Sequence, residues 1–231
     1  MAYNYSPDVV QNIIGTVGGR LKELARLSGD TYAKLQTTDP AEKMNLYTNS
    51  YGYIVYTGNF HHGMEMISTN HFLLNLMKDK KQTIIDVGCQ SGGTGLLYAH
   101  YGHRVIFHDF DGVAFRVLEK YIAQFGETLD VEIVPYGNPL PPANWVVSFD
   151  AIEHTGNHLG FLRWIESMAN NFAITYPLTI PFEPPFVPPG LDEWVDDERL
   201  QAIISSDHEI IQNRHENGRR ILIFSEHWLN K

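Results

Sequence analysis

At 231 residues, with 43% apolar and 19% charged side chains, the chain has the make-up of one globular domain with an elaboration, not of a disordered segment. Its formal net charge of −10 excludes a nonspecific nucleic-acid surface, which needs clustered Lys and Arg to displace counterions from phosphates. Cys89 is the sole cysteine, so no intrachain disulfide or cysteine-cluster zinc site can form; with no leader-like N-terminus and no long apolar run, a soluble cytoplasmic protein without a membrane partner is the expectation.

In chain order, Ser6-Pro7-Asp8 opens a helix, with Ser6 as cap, Pro7 in the first turn and an acid that suits the helix dipole. Val10, Ile13, Ile14, Val17, Leu21 and Leu24 recur at helical spacing, and Gly15, Gly18 and Gly19 are expected to break or kink the run, giving one or two packing helices from Pro7 to about Leu27. After the boundary at Asp39-Pro40, the segment Met44 to Gly58 carries Tyr47, Tyr51, Tyr53 and Tyr56 and reads as an aromatic-rich cap, with a substrate-lining role as the other reading. A helix is expected from about Gly63 to Lys78, so residues 1–80 form an N-terminal helical, tyrosine-rich cap and residues 81–231 a second domain. His61-His62 has no ligand spacing and reads as a surface or cap pair, and no metal is expected.

From Thr83 the pattern alternates: strand Thr83–Val87, helix Thr94–Tyr101, strand Arg104–His108, helix Val113–Phe125, strand Val131–Val134. A strand at Trp145–Phe149, a helix near His158–Ala169 and a strand at Phe172–Tyr176 follow. Strands alternating with helices of this length imply right-handed crossovers and a parallel sheet, so the fold class is α/β, a doubly wound, mostly parallel sheet. The segment 177–190 holds six prolines and reads as a stiff loop wrapping the surface or covering a site. A short helix around Asp196–Ser205 precedes strand-like runs Glu209–Asn213 and Arg219–Phe224. Asn217-Gly218 between them signals a tight turn, hence a C-terminal antiparallel hairpin.

The chemistry concentrates at Ile84-Ile85-Asp86-Val87-Gly88-Cys89-Gln90-Ser91-Gly92-Gly93-Thr94-Gly95, a buried-type strand entering a glycine-rich turn and then a helix. Glycines let the backbone turn and approach a ligand, and the helix presents unpaired amides at its N-terminus. A dinucleotide site usually has an apolar residue before the first glycine, whereas Asp86 suits a ligand carrying an ammonium group. Asp109, at the end of the next strand, can accept hydrogen bonds from both hydroxyls of a ribose.

From Thr83 to Pro177 this order resembles the class I S-adenosylmethionine-dependent methyltransferases: Asp86-x-Gly88, glycine-rich turn, helix, Gly102, strand, Asp109, then Val146-Val147-Ser148-Phe149-Asp150-Ala151-Ile152-Glu153-His154. The resemblance implies a Rossmann-like fold, S-adenosylmethionine as cofactor, and methyl transfer to a small-molecule acceptor whose nucleophile, O or N, stays open. It also implies the site. Asp86 lies near the ammonium group, the amides of Gly88, Cys89, Gln90 and Gly92 near the carboxylate, Asp109 on the ribose, Phe110 against adenine, and Asp150 toward the sulfonium, with helix capping as the other reading for Asp150. His154, just past the fourth strand, is the expected general base for a hydroxyl acceptor, with His158, His61 and His62 behind it.

Two positions depart from the family pattern. Gln90 stands at the usual middle glycine, which implies either a turn that opens outward or a side chain that points away. The loop Pro135–Pro141 lacks the aspartate that often reads the adenine amine, leaving Asn138 or a backbone carbonyl. Asp150-Ala151-Ile152-Glu153 is not the Asn/Asp-Pro-Pro-aromatic motif of base-modifying enzymes, and Tyr176-Pro177 lacks the acid pair of metal-dependent catechol-type enzymes. A protein that keeps the fold for binding or assembly without catalysis is the alternative; a nicotinamide oxidoreductase is disfavoured by Asp86 and by the missing Gly-x-Gly-x-x-Gly spacing. Oligomeric state is not legible from these residues.

Overall fold

The computed structural model describes residues 6–26, 66–178, 195–216 and 218–226, without the side chains of Arg26, His154 and Glu226. The tyrosine-rich segment, His61, His62, Asn217 and most of the proline-rich loop therefore lie outside the described residues. The architecture is a mixed α/β fold with a seven-stranded, mostly parallel sheet that ends in an antiparallel hairpin. Contacts divide the chain into two compact units meeting in sequence at Pro139 and Leu140.

The first unit holds α1 (Pro7–Arg26), α2 (Ile67–Met77), β1 (Thr83–Val87), α3 (Gly93–His100), β2 (Arg104–Asp109), α4 (Val113–Phe125) and β3 (Val131–Pro135). Its strands run parallel in the order β3-β2-β1. Every residue of β1 after Thr83 is buried, as are Val105 to His108 of β2, which explains their continuous apolar character. Val87 pairs in register with His108 and Asp109 with Pro135, so the turns after all three strands leave from one edge, where open α/β sheets bind ligands.

Of the one or two helices expected here, α1 is one, running 20 residues without a break at its glycines. Val10, Ile14, Val17, Leu21 and Leu24 form a buried stripe, and the helix packs on α2, α3 and α4. Each interior glycine costs about 1 kcal/mol of helix propensity, while burying a branched aliphatic side chain contributes roughly 1.5–3 kcal/mol, so packing outweighs propensity here. α3 is anchored similarly, since the buried Tyr98 hydroxyl donates to Asn70 Oδ1 of α2 at 2.7 Å.

The second unit holds β4 (Trp145–Phe149), a 3-10 turn (Ile152–His154), α5 (His158–Glu166), β5 (Asn171–Pro177), α6 (Asp197–Asp207), β6 (His208–Glu216) and β7 (Arg219–Glu226), with strand order β4-β5-β7-β6. β4 is parallel to β5, and β7 is antiparallel to both β5 and β6. Asn157 caps α5 by accepting from Gly160 N–H, and Asp196 caps α6 by accepting from Arg199 N–H. Asp197 ties the hairpin to α6: Tyr176 donates its hydroxyl to Oδ1 at 2.7 Å, and Arg220 grips both carboxylate oxygens.

Candidate functional site

The turn after β1 has a glycine-type backbone at alternate positions, with φ +70° at Gly88, +49° at Gln90 and +78° at Gly92. Gln90 thus adopts a left-handed backbone of the kind that favours glycine. A left-handed conformation costs a residue with a Cβ about 1–2 kcal/mol. Two bonds hold it there: Gln90 N–H donates to Asp109 Oδ2 at 2.7 Å, and Gly88 N–H donates to the His108 carbonyl at 2.9 Å. Gln90→Gly is expected to raise stability by about 0.5–1 kcal/mol, less than the full strain because glycine also loosens the unfolded chain. Thermal melts check this, and a lower melting temperature would mean the glutamine side chain makes a contact that outweighs its backbone strain.

Asp86 is 5% exposed at the end of β1, and its Oδ2 accepts the Gly95 N–H at 2.9 Å. This contact requires glycine at 95. A Cβ there would stand 2.3 Å from Phe107 Cε1, 2.7 Å from Asp86 Oδ2 and 3.0 Å from Val105 Cγ1. Gly95 is therefore a site residue the sequence reading missed; its signal is a third glycine in the first turn of the following helix. Burial pushes the Asp86 carboxyl up to about 7, with a smaller upward push from Asp109 against the downward pull of the Gly95 amide. The Cys89 thiol is likewise pushed up, chiefly by burial and then by the charges of Asp109 and Asp86, so it stays a protonated, inert filler of the turn.

Asp109 closes the constellation from β2. Besides the Gln90 amide on Oδ2, its Oδ1 accepts the Phe110 N–H at 2.7 Å, so both carboxylate oxygens face backbone amides of the two turns. Phe110 and Tyr136 are 63% and 60% exposed with ring centroids 4.7 Å apart, forming an aromatic surface beside Asp109. Tyr136 follows β3 at the register at which Phe110 follows β2, a correspondence visible only once the strands are paired. Asn138 is turned onto its own loop, its Nδ2 donating to the Pro135 carbonyl at 3.2 Å. His108 donates or accepts through Nδ1 at the Val134 carbonyl, 2.8 Å away, and since a carbonyl only accepts, Nδ1 carries the proton.

In the second unit Asp150 adopts φ +51°. Its Oδ2 takes the Arg219 Nε–H at 2.6 Å and its Oδ1 takes the Thr175 hydroxyl at 3.1 Å. The capping reading of Asp150 is corrected, because the 3-10 turn after β4 has no side-chain cap. Arg219, 69 residues away in sequence, is the partner that local reading could not supply. His154 ends that turn, with its side chain outside the described residues. Among the described residues no His, Cys, Asp and Glu cluster is arranged to hold a metal ion.

No family model matches the chain, and no curated protein does. Solved structures do. Magnesium protoporphyrin IX methyltransferase from Synechocystis PCC 6803 with bound SAM is similar at a TM-score of 0.61 and 13% identity, covering 83% of this chain and 99% of that one. The N-terminal domain of EvdMO1 with SAH bound has a TM-score of 0.55 at 13% identity, covering 74% and 83%. The glycopeptide N-methyltransferase MtfA has a TM-score of 0.54 at 9% identity, covering 69% and 90%. Together with the strand directions and the turn after β1, these likenesses establish that the chain has the Rossmann-like fold of the class I S-adenosylmethionine-dependent methyltransferases.

Proposed function

We propose that the protein is an S-adenosylmethionine-dependent methyltransferase acting on a small-molecule acceptor. The observation that carries this reading is the union, at one sheet edge, of a buried acid, a turn with glycine-type backbone and a second acid at the end of the neighbouring strand. These residues fit the cofactor's three polar parts. Asp86 matches an ammonium group and Asp109 matches ribose hydroxyls, while the amides of Gly88, Gln90 and Gly92, expected near a carboxylate, are engaged by the His108 carbonyl, Asp109 Oδ2 and the Cys89 carbonyl, so we assign the carboxylate to the Cys89 amide. Phe110 and Tyr136 offer a planar base an aromatic surface, where stacking contributes roughly 1–3 kcal/mol.

When bound, the sulfonium supplies a methyl group activated for displacement by an acceptor nucleophile. The chain's own part is binding, orientation and exclusion of water. We assign His154 the acceptor's proton where the acceptor is a hydroxyl, on its position after β4; a pH profile of turnover unchanged by its substitution would remove that role. Asp150 has both oxygens engaged by Arg219 and Thr175, so we give it the task of holding the ends of β4, β5 and β7 rather than facing the sulfonium. The net charge of −10 supports an acceptor other than nucleic acid. No helix among the described residues is long and apolar enough to cross a membrane, and a cytoplasmic setting agrees with the single, buried, free cysteine.

The non-catalytic alternative took its motive from Gln90 and from the missing adenine-reading acid in the loop Pro135–Pro141; the glycine-type backbone at Gln90 weakens the first motive and leaves the second standing. Asp109→Ala tests the cofactor reading. Removing charge-assisted bonds to ribose is expected to weaken S-adenosylmethionine by about 1–3 kcal/mol, roughly 5- to 150-fold, in calorimetry. The same change releases the amides of Gln90 and Phe110, so a melt must accompany it. Unchanged affinity in a folded variant would place the ribose elsewhere.

A further inference from the structure

Among the described residues, Asp86 meets no positive charge that would balance its own. Its donor is a neutral backbone amide, Gly95 N–H. Among the described residues, the titratable groups acting with it are Asp109 from β2, the Cys89 thiol from the turn and the Tyr98 phenol from α3, and none of these carries positive charge in either of its protonation states. Tyr98 spends its hydroxyl proton on Asn70 Oδ1 of α2, and His108 of β2 gives its Nδ1 proton to the Val134 carbonyl. Burial also pushes His108 down, so it does not act as a counter-cation at neutral pH. A buried carboxyl with one neutral donor and a second acid near it keeps its proton until a cation arrives.

We infer that an ammonium-bearing ligand enters this turn by displacing the proton of Asp86, so that filling the site releases a proton to solvent and the site binds more tightly as pH rises from about 6 toward 8. The balance is simple: the carboxylic acid and the ligand's ammonium group go to a carboxylate–ammonium pair and one free proton. Near pH 8 the gain levels off, because an α-amino group itself begins to lose its charge at about 7.7–8.0. This inference rests on the cofactor reading above. It adds that occupancy of the site is governed by proton activity in the neutral range, where the ordinary carboxylate at this position would already be fully ionised.

The experiment is titration calorimetry of the full chain with S-adenosylhomocysteine at pH 6, in two buffers of different ionisation heat. The wild type is expected to release close to one proton per ligand bound, since Asp86 titrates at about 7. Its affinity should strengthen about tenfold between pH 5.5 and pH 6.5. Asp86→Asn should bind more weakly, with no proton released and a flat pH dependence over that interval. Wild-type binding at pH 6 with no proton exchange would overturn the inference while leaving the cofactor reading intact, as would equal release by Asp86→Asn. Absence of binding from pH 6 to 8 would remove both.

Discussion

Replacing Asp86 by Asn is expected to stabilise the ligand-free protein above pH 7 while removing most of its cofactor affinity. The stability half follows from linkage. The folded protein holds the Asp86 proton up to about pH 7, whereas the unfolded chain releases it near 3.8. A carboxyl raised in this way contributes its full stability below pH 3.8, and that contribution disappears as pH rises through 7. Three pH units at 1.36 kcal/mol each make the ionised carboxylate cost up to about 4 kcal/mol at pH 8. Asn keeps an acceptor for the Gly95 amide without the charge. The two proteins should therefore melt alike near pH 4, and the variant should melt higher by an increasing margin toward pH 8. The affinity half has the opposite sign, because the ligand's ammonium group loses its buried counter-charge, a loss of about 2–5 kcal/mol. Melts across pH and calorimetry on the same preparations check both halves. A variant that is less stable at pH 8 would show that the carboxylate has a cationic partner in the folded protein.

Gly95→Ala is expected to destabilise the first unit and weaken the site together. Alanine favours a helix interior over glycine by about 1 kcal/mol, so propensity alone predicts a more stable protein. Packing reverses the sign. The new methyl would meet the fully buried ring of Phe107 at 2.3 Å and the acceptor oxygen of Asp86 at 2.7 Å, and Phe107 sits in β2 between β1 and β3. Relief requires α3 to lift from the sheet, which lengthens the Gly95–Asp86 bond and moves the helix N-terminus away from the turn. Overpacking of this kind costs about 1–3 kcal/mol, and a chain of this size loses roughly 2–4 °C of melting temperature per kcal/mol. Cofactor affinity should fall with it. A variant with unchanged melting and unchanged affinity would mean that α3 stands further from the sheet than the geometry here requires.

How far the sequence carried this account differs by kind of information. β1, α4 and β4 run between the residues where apolar periodicity, glycine and proline place them, because a parallel sheet buried on both faces writes itself as short continuous apolar runs. The other elements extend or retreat by a few residues. α1 was harder: its glycines argue locally for a break, and the partners of its apolar stripe, far along the chain, favour one continuous helix. At the site, Asp86 and Asp109 were legible as strand-ending acids. What they bond to was not, since Gly95, Gln90 and Phe110 reach them through backbone amides that carry no residue signature. Gln90 shows the limit most clearly. Its residue type argues against a left-handed backbone, and the turn imposes one nonetheless. The Asp150–Arg219 pair joins residues that neither spacing nor composition connects.

The central claim is that the edge formed by Asp86, the turn from Gly88 to Gly92 and Asp109 holds an amino-acid nucleoside. Calorimetry of the purified chain at pH 8 with S-adenosylmethionine, S-adenosylhomocysteine and reduced nicotinamide dinucleotide tests it most directly. Saturable one-to-one binding of the first two is expected, weakened in Asp109→Ala, with no measurable binding of the dinucleotide, whose pyrophosphate would face two acids. Equal or tighter binding of the dinucleotide, with neither adenosyl ligand bound, would contradict it.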